Sequence, residues 1–160
     1  MTARDVKQVA VIGAGTMGPG MAATFARHGF DTTLFDVKPE QIDKAKGNVD
    51  FVYTILTNGG FMTAADADAG RGRLRYTTDL ADALTGADFV VETVPEQKAI
   101  KQQVYKDIEA KVADDVIIAT NTSGIPITDI AAVTQVPERV VGMHWSNPPH
   151  LIPVIEVIRG

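Results

Sequence analysis

His144 and Glu156 stand twelve positions apart, on either side of a link rich in turn-formers, Trp145-Ser146-Asn147-Pro148-Pro149. His144 follows the apolar run Val140-Val141-Gly142-Met143, and Glu156 lies inside another, Pro153-Val154-Ile155-Glu156-Val157-Ile158. If the link folds the two runs back beside each other, the imidazole and the carboxylate meet. A carboxylate in a run built for burial needs a partner, because an unpaired buried charge is costly. A carboxylate on one ring nitrogen fixes the tautomer and raises the basicity of the other, which yields a general base usable near neutral pH. The plainer alternative is a structural histidine and an edge-strand glutamate facing water. Asn121-Thr122-Ser123 follows a further apolar run and offers an amide and two hydroxyls to orient a substrate oxygen. For these three the plainer alternative is capping of the helix that Pro126 and Ile127 open.

A second constellation is suited to binding. Val9-Ala10-Val11-Ile12 runs directly into Gly13-Ala14-Gly15-Thr16-Met17-Gly18, and Asp36 follows Gly18 by eighteen positions at the end of Thr32-Thr33-Leu34-Phe35. In such a loop Gly13 allows a sharp turn, Gly15 lets the backbone approach a pyrophosphate, and Gly18 lets the next helix pack on the strand. The helix start presents free N–H groups and the positive end of its dipole. An acid at the position of Asp36 can take both hydroxyls of an adenosine ribose and repels a 2′-phosphate, so the pattern predicts NAD rather than NADP. A flavin dinucleotide is a weaker alternative, since it would leave His144 and Glu156 without a role.

These residues need elements to carry them. Short unbroken apolar runs are the mark of strands covered on both faces; here they are Val9–Ile12, Thr32–Phe35, Phe89–Val91, Val116–Ala119, Val140–Met143 and Val154–Ile158. Arg73–Thr77 adds a possible short strand. Between them the spacing predicts helices over Thr16–His28, closed by Gly29, and from Pro39 through Ile42, Ala45, Val49, Val52 and Leu56 until Asn58-Gly59-Gly60 breaks the pattern. Asp79 caps a short helix through Leu84. A helix from Gln97 carries Ile100, Val104, Ile108 and Val112 as its apolar stripe, and a short one spans Ile127–Val133. Thr63–Gly72, rich in Ala, Asp and Gly, reads as a surface excursion. Strands alternating with helices predict an α/β, Rossmann-type fold, a doubly wound and mostly parallel sheet with helices on both faces and the last strand antiparallel. Ligands of such sheets sit at the carboxyl ends of the strands, and the polar residues just after those ends, in Gly13–Gly18, Asp36, Glu92–Glu96, Asn121–Ser123 and His144–Asn147, are the site candidates.

Composition narrows the field. With 160 residues, 45% of them hydrophobic, the chain can build one domain with a proper core. Fifteen basic residues against twenty acidic give a net charge of −5, with the basic ones scattered, which predicts no nucleic-acid partner and no anionic membrane. The absence of cysteine excludes disulfides, thiolate metal sites and cysteine nucleophiles, and no cluster has metal-ligand spacing. The polar N-terminus, Met-Thr-Ala-Arg, predicts neither signal nor membrane segment, and a cytoplasmic location.

Taken together, Gly13-Ala14-Gly15-Thr16-Met17-Gly18, Val90-Val91-Glu92, Asn121-Thr122-Ser123, Gly142-Met143-His144 with Asn147-Pro148, and Glu156-Val157 resemble the 3-hydroxyacyl-CoA dehydrogenases over essentially the whole chain. The resemblance implies an NAD-dependent oxidoreductase that oxidises a hydroxyl of a small-molecule substrate by hydride transfer to NAD. His144 would be the base, Glu156 its orienting partner, and Ser123 a contact to substrate and cofactor. Asp36 would hold the ribose, with Glu96, Lys101 and Asn121 as further cofactor contacts beside Gly13, Gly15, Thr16, Met17 and Gly18. It also implies that residues 1–160 form the NAD-binding domain, that a helical C-terminal domain lies outside this chain, and that the full-length protein is a homodimer through it. An isolated NAD-binding module without turnover is the alternative. Where the family's second helix carries a serine and a lysine that meet coenzyme A, this chain has Val52 and Gly59. The stretches Trp145–His150 and Ser123–Thr128 are similar to a branch of the family that oxidises a pyridine aldehyde of vitamin B6 breakdown, through the hydrate, in place of an acyl-CoA.

Overall fold

The computed structural model describes residues 5–160; the N-terminal residues 1–4, where the sequence reading found no leader, lie outside the described residues. Seven strands form one sheet: β1 (Gln8–Ile12), β2 (Asp31–Phe35), β3 (Leu74–Thr77), β4 (Phe89–Glu92), β5 (Ile117–Thr120), β6 (Val140–Trp145) and β7 (Ile155–Arg159). Their spatial order is β3-β2-β1-β4-β5-β6-β7. Every pair is parallel except β6 and β7, which run antiparallel with His144 opposite Glu156. The chain reverses its winding direction between β1 and β4, which opens a crevice at their carboxyl ends.

Six α-helices connect the strands: α1 (Gly18–Arg27), α2 (Pro39–Asn58), α3 (Ala64–Gly72), α4 (Leu80–Leu84), α5 (Lys98–Glu109) and α6 (Ile127–Ala131). Strand alternation sorts the core into two faces. Val9 and Val11 pack with Leu34, Val91, Ala119 and Trp145 against Met21 and Ala22 of α1 and Ile42 and Ala45 of α2. Ala10 and Ile12 pack with Val90, Ile118 and Val140 against Tyr105 and Ile108 of α5 and Ile127 and Ile130 of α6. At about 25 cal/mol per Å² of apolar surface removed from water, these two layers dominate the stabilisation of the sheet.

Three expectations need correction. Thr63–Gly72 lies on the surface, with only Ala67 and Gly70 buried, but it is a helix and not an irregular excursion: it contains α3, whose first turn is closed by a capping box in which Thr63 and Asp66 bond each other's backbone N–H. Ala67 then packs with Val49, Val52, Tyr53 and Leu56 of α2 in a third cluster. The buried stripe of α5 is Lys101, Tyr105 and Ile108, with Ile100 37% exposed. Ile108 is buried as expected, and Val104 and Val112 pack partly buried against the same core. The exceptions are Ile100, which is exposed, and Lys101, which the buried Glu92 carboxylate holds inward. Finally, β7 is exposed along its whole length, so Glu156 does not sit in a buried strand.

Candidate functional site

The turn after β1 shows why its glycines are glycines. Gly13 adopts φ +113°, a left-handed backbone, and a Cβ there would sit 2.7 Å from the Thr93 carbonyl oxygen. A Cβ on Gly18 would sit 1.9 Å from the Gly13 carbonyl oxygen, so the loop can close onto α1 only without a side chain. A Cβ on Gly15 would meet nothing within 4 Å. That position faces the open crevice, where a bare backbone leaves room for a ligand. At the end of β2 the Asp36 carboxylate accepts hydrogen bonds from Ala14 N–H (2.9 Å) and Lys38 N–H (3.0 Å). Two of the roughly four acceptor positions of a carboxylate are thereby used, which leaves capacity for ribose hydroxyls.

Gly13, Gly15, Thr16, Met17, Asp36, Glu96, Lys101, Asn121 and Ser123 all line one cleft of about 1140 Å³ across the carboxyl ends of the strands, above the roughly 300–1,000 Å³ usual for ligand pockets. Its volume and its loop of bare backbone at a helix start fit a dinucleotide. Gly18 lies beneath the loop and acts through packing. Near this end of the cleft the Ser123 hydroxyl is 3.1 Å from His144 Nε2, and His144 Nδ1 is 2.8 Å from Glu156 Oε2. The imidazole is therefore held from both sides, and Glu156 is met although 65% of its side chain is exposed. Its partner is supplied by the register of β6 and β7, not by burial.

Behind the cleft lies a polar cluster. Glu92 ends β4 fully buried; its Oε1 accepts from Lys101 Nζ (2.7 Å) and Val94 N–H (2.7 Å), and its Oε2 from the Thr120 hydroxyl (2.7 Å). Burial pushes its carboxyl above the ordinary range, against the pull of the Lys101 charge and the three hydrogen bonds. Lys101 is 1% exposed and also reaches Glu96 Oε2 at 3.3 Å. Glu96 Oε1 accepts from the Thr122 hydroxyl (2.5 Å) and from the N–H groups of Ser123 (2.9 Å) and Gly124 (3.1 Å). Partial burial works upward on Glu96, but these donors and the Lys101 charge outweigh it and hold its carboxyl below the ordinary value. Asn121 Oδ1 accepts from Trp145 N–H at 2.8 Å, tying the loop to the residue after His144.

The structure thus brings all twelve expected residues to one end of the sheet. The capping alternative does not hold for Thr122: α6 starts at Ile127 without a side-chain cap, and the Thr122 oxygen accepts from Ile125 N–H inside the loop while its hydroxyl donates to Glu96. His28 bonds the Thr24 carbonyl, and with His150 it lines a separate hollow of about 340 Å³. Glu92 was legible as a polar residue at a strand end, without a role of its own, and Thr120 was missed. The signal for Glu92 was an acid closing an unbroken apolar strand. Among the described residues no group of three His, Cys, Asp or Glu could hold a metal ion, and no helix is long and apolar enough to cross a membrane.

Residues 8–160 match the family model for the NAD binding domain of 3-hydroxyacyl-CoA dehydrogenase. The chain is 49% identical over 155 residues to a 5-formyl-3-hydroxy-2-methylpyridine 4-carboxylate 5-dehydrogenase of Mesorhizobium japonicum, covering 97% of this chain and 49% of that protein. It is 36% identical over 155 residues to a 3-hydroxybutyryl-CoA dehydrogenase of Mycobacterium tuberculosis, covering 96% of this chain and 54% of that one. A crystal structure of a 5-formyl-3-hydroxy-2-methylpyridine 4-carboxylic acid 5-dehydrogenase, an NAD+ dependent dismutase, superposes with a TM-score of 0.89 at 48% identity, over 97% of this chain and 49% of that chain. The chain spans about half the length of the curated relatives it matches.

Proposed function

The chain belongs to the 3-hydroxyacyl-CoA dehydrogenase family through its NAD-binding domain, and we propose that the protein is an NAD-dependent dehydrogenase whose base is His144. The observation that carries this reading is the Ser123–His144–Glu156 run of contacts, 3.1 and 2.8 Å, beside the cleft of the glycine loop. Gly13, Gly15, Thr16, Met17 and the start of α1 would hold the pyrophosphate of NAD, and Asp36 the adenosine ribose. Asn121, Glu96 and Lys101 border the same cleft. When bound, NAD supplies the acceptor for the hydride that leaves the carbon bearing the substrate hydroxyl.

This chain's own residues do the rest. Glu156 accepts the Nδ1 proton of His144, which leaves Nε2 unprotonated and directed at the Ser123 hydroxyl. A substrate hydroxyl entering between them is held by Ser123 and gives its proton to Nε2. With Glu156 mostly exposed, its contribution is orientation of the ring more than a strong charge interaction.

The substrate we propose is a small non-CoA aldehyde or alcohol of the kind named for the Mesorhizobium japonicum relative, an aldehyde reacting as its hydrate. Two features support it beside the higher identity. Val52 is packed among α1, α2 and α3, and Gly59 lies under the Phe61 ring, so neither offers a polar group to coenzyme A. Arg71 is bonded to Asp50 and Asp68, and Lys46 to Asp43. The half of the relatives not spanned here would cover the site, which stands open at His144 and Glu156; by itself this chain would bind NAD and turn over slowly, because positioning and water exclusion are worth about 7–11 kcal/mol of barrier. A cytoplasmic homodimer completes the proposal. The deciding test follows NADH absorbance with the pyridine aldehyde and with acetoacetyl-CoA side by side, using protein of the relatives' full length. A micromolar KM with fast turnover on acetoacetyl-CoA would refute the non-CoA substrate.

A further inference from the structure

We infer that Glu92, through Lys101, is a positioning residue for the Ser123–His144 contact: it holds Lys101, Lys101 holds Glu96, and Glu96 holds the loop that carries Ser123. The inference rests on the reading of His144 as base and adds residues that touch neither substrate nor reacting atoms.

The contacts form one line. Lys101 Nζ has three acceptors within 3.4 Å, namely Glu92 Oε1, Glu96 Oε2 and the Val94 carbonyl, which matches its three protons. Glu92 is the only one of these that is both charged and fully buried, so it is what keeps the ammonium inside. From there the ammonium fixes one oxygen of Glu96 while the other gathers three donors from Thr122, Ser123 and Gly124. That gathering sets the backbone of residue 123, and with it the hydroxyl 3.1 Å from His144 Nε2. Glu92 also grips the same loop directly, since its backbone carbonyl accepts from Asn121 N–H at 2.8 Å and its carboxylate from Thr120.

A role in stability alone does not account for this arrangement. A buried ion pair is no better for stability than well-packed apolar side chains of the same size, and the attested use of such pairs is to fix one arrangement among several. Contact with cofactor alone does not account for it either, because three of the donors that Glu96 receives come from the loop.

The test reads His144 directly. The protein is labelled with ¹⁵N in its three histidines, and imidazole spectra are taken at fixed pH without cofactor or substrate. Ser123→Ala supplies the reference position of His144 Nε2 when the contact is lost. Glu92→Gln is compared with the double variant Glu92→Gln/Lys101→Met, which removes both charges of this pair and so keeps the test readable if the single variant unfolds. The expected result is a shift of the His144 Nε2 resonance toward its Ser123→Ala position in the double variant, with His28 and His150 unmoved. A folded double variant whose His144 keeps its native resonance overturns the inference, and so does an equal displacement of all three histidines. Because neither NAD nor substrate is present, failure of the proposed activity leaves this outcome readable by itself.

Discussion

Replacing Lys101 by methionine removes the charge behind the site while nearly conserving the volume, so any loss is electrostatic and not a cavity effect. Glu92 would keep Val94 N–H and the Thr120 hydroxyl as donors but lose the ammonium 2.7 Å away, in a place with no solvent exposure. Breaking a buried pair by removing one partner costs about 3–5 kcal/mol. For a chain of this size each kcal/mol moves Tm by about 2–4 °C, so Lys101→Met should melt about 6–20 °C lower. The loss should also depend on pH. Burial already raises the folded-state carboxyl of Glu92, and removing Lys101 takes away the largest opposing influence. A carboxyl whose folded value lies above its unfolded value binds more protons when folded, so stability falls as pH rises through that window. The gap between native chain and variant should therefore be smaller at about pH 5 than at about pH 8. Glu92→Gln/Lys101→Met should recover most of the difference, because a neutral pair has no charge to desolvate. Calorimetric melts of the three proteins at the two pH values are the assay. A Lys101→Met cost under about 1 kcal/mol, or one equal at both pH values, would refute the view of Lys101 and Glu92 as a buried ion pair.

Calorimetry should find NAD bound more tightly than NADP, and Asp36→Ala should erase the preference while weakening both, since Ala14 and Lys38 N–H also lose their acceptor; tighter NADP binding by the native chain would count against the ribose role. Gly18→Ala should abolish NAD binding by forcing its Cβ against the Gly13 carbonyl, 1.9 Å away, with the titration of NAD against the variant as the check. In protein of the relatives' full length, His144→Ala should lower kcat by roughly 10²–10⁴-fold, a usual share for a general base, with Glu156→Gln close behind; a His144→Ala protein that keeps most of its kcat would remove the base assignment. Asp79→Ala should cost about 0.5–2 kcal/mol in urea melts, because the Asp79 carboxylate caps α4 through Ala81 and Asp82 N–H.

The glycine loop, Asp36, the alternation of strands and helices and the reversal at the last strand were legible in the sequence because each is a local pattern. An apolar run into Gly-x-Gly-x-x-Gly carries its own turn geometry, and the carboxyl ends of the strands follow from the element order. Thr63–Gly72 was misread for the opposite reason. Its Ala- and Gly-rich composition gives little amphipathic pattern, and its helix is fixed by a capping box and by packing of Ala67 on Tyr53 and its neighbours. The pairing of His144 with Glu156 was anticipated from the fold-back of the two runs, which the antiparallel register bears out, and from a burial that β7 does not have. The inward placement of Lys101 and the line from Glu92 to Ser123 belonged to tertiary structure alone. Glu92, Lys101 and Thr120 lie on three different elements, and no local periodicity tells a lysine that it will face inward. Only when β4, β5 and α5 pack does a carboxylate without water demand an ammonium, and that long-range electrostatic demand adds Lys101 to the buried face that Val104, Ile108 and Val112 already share.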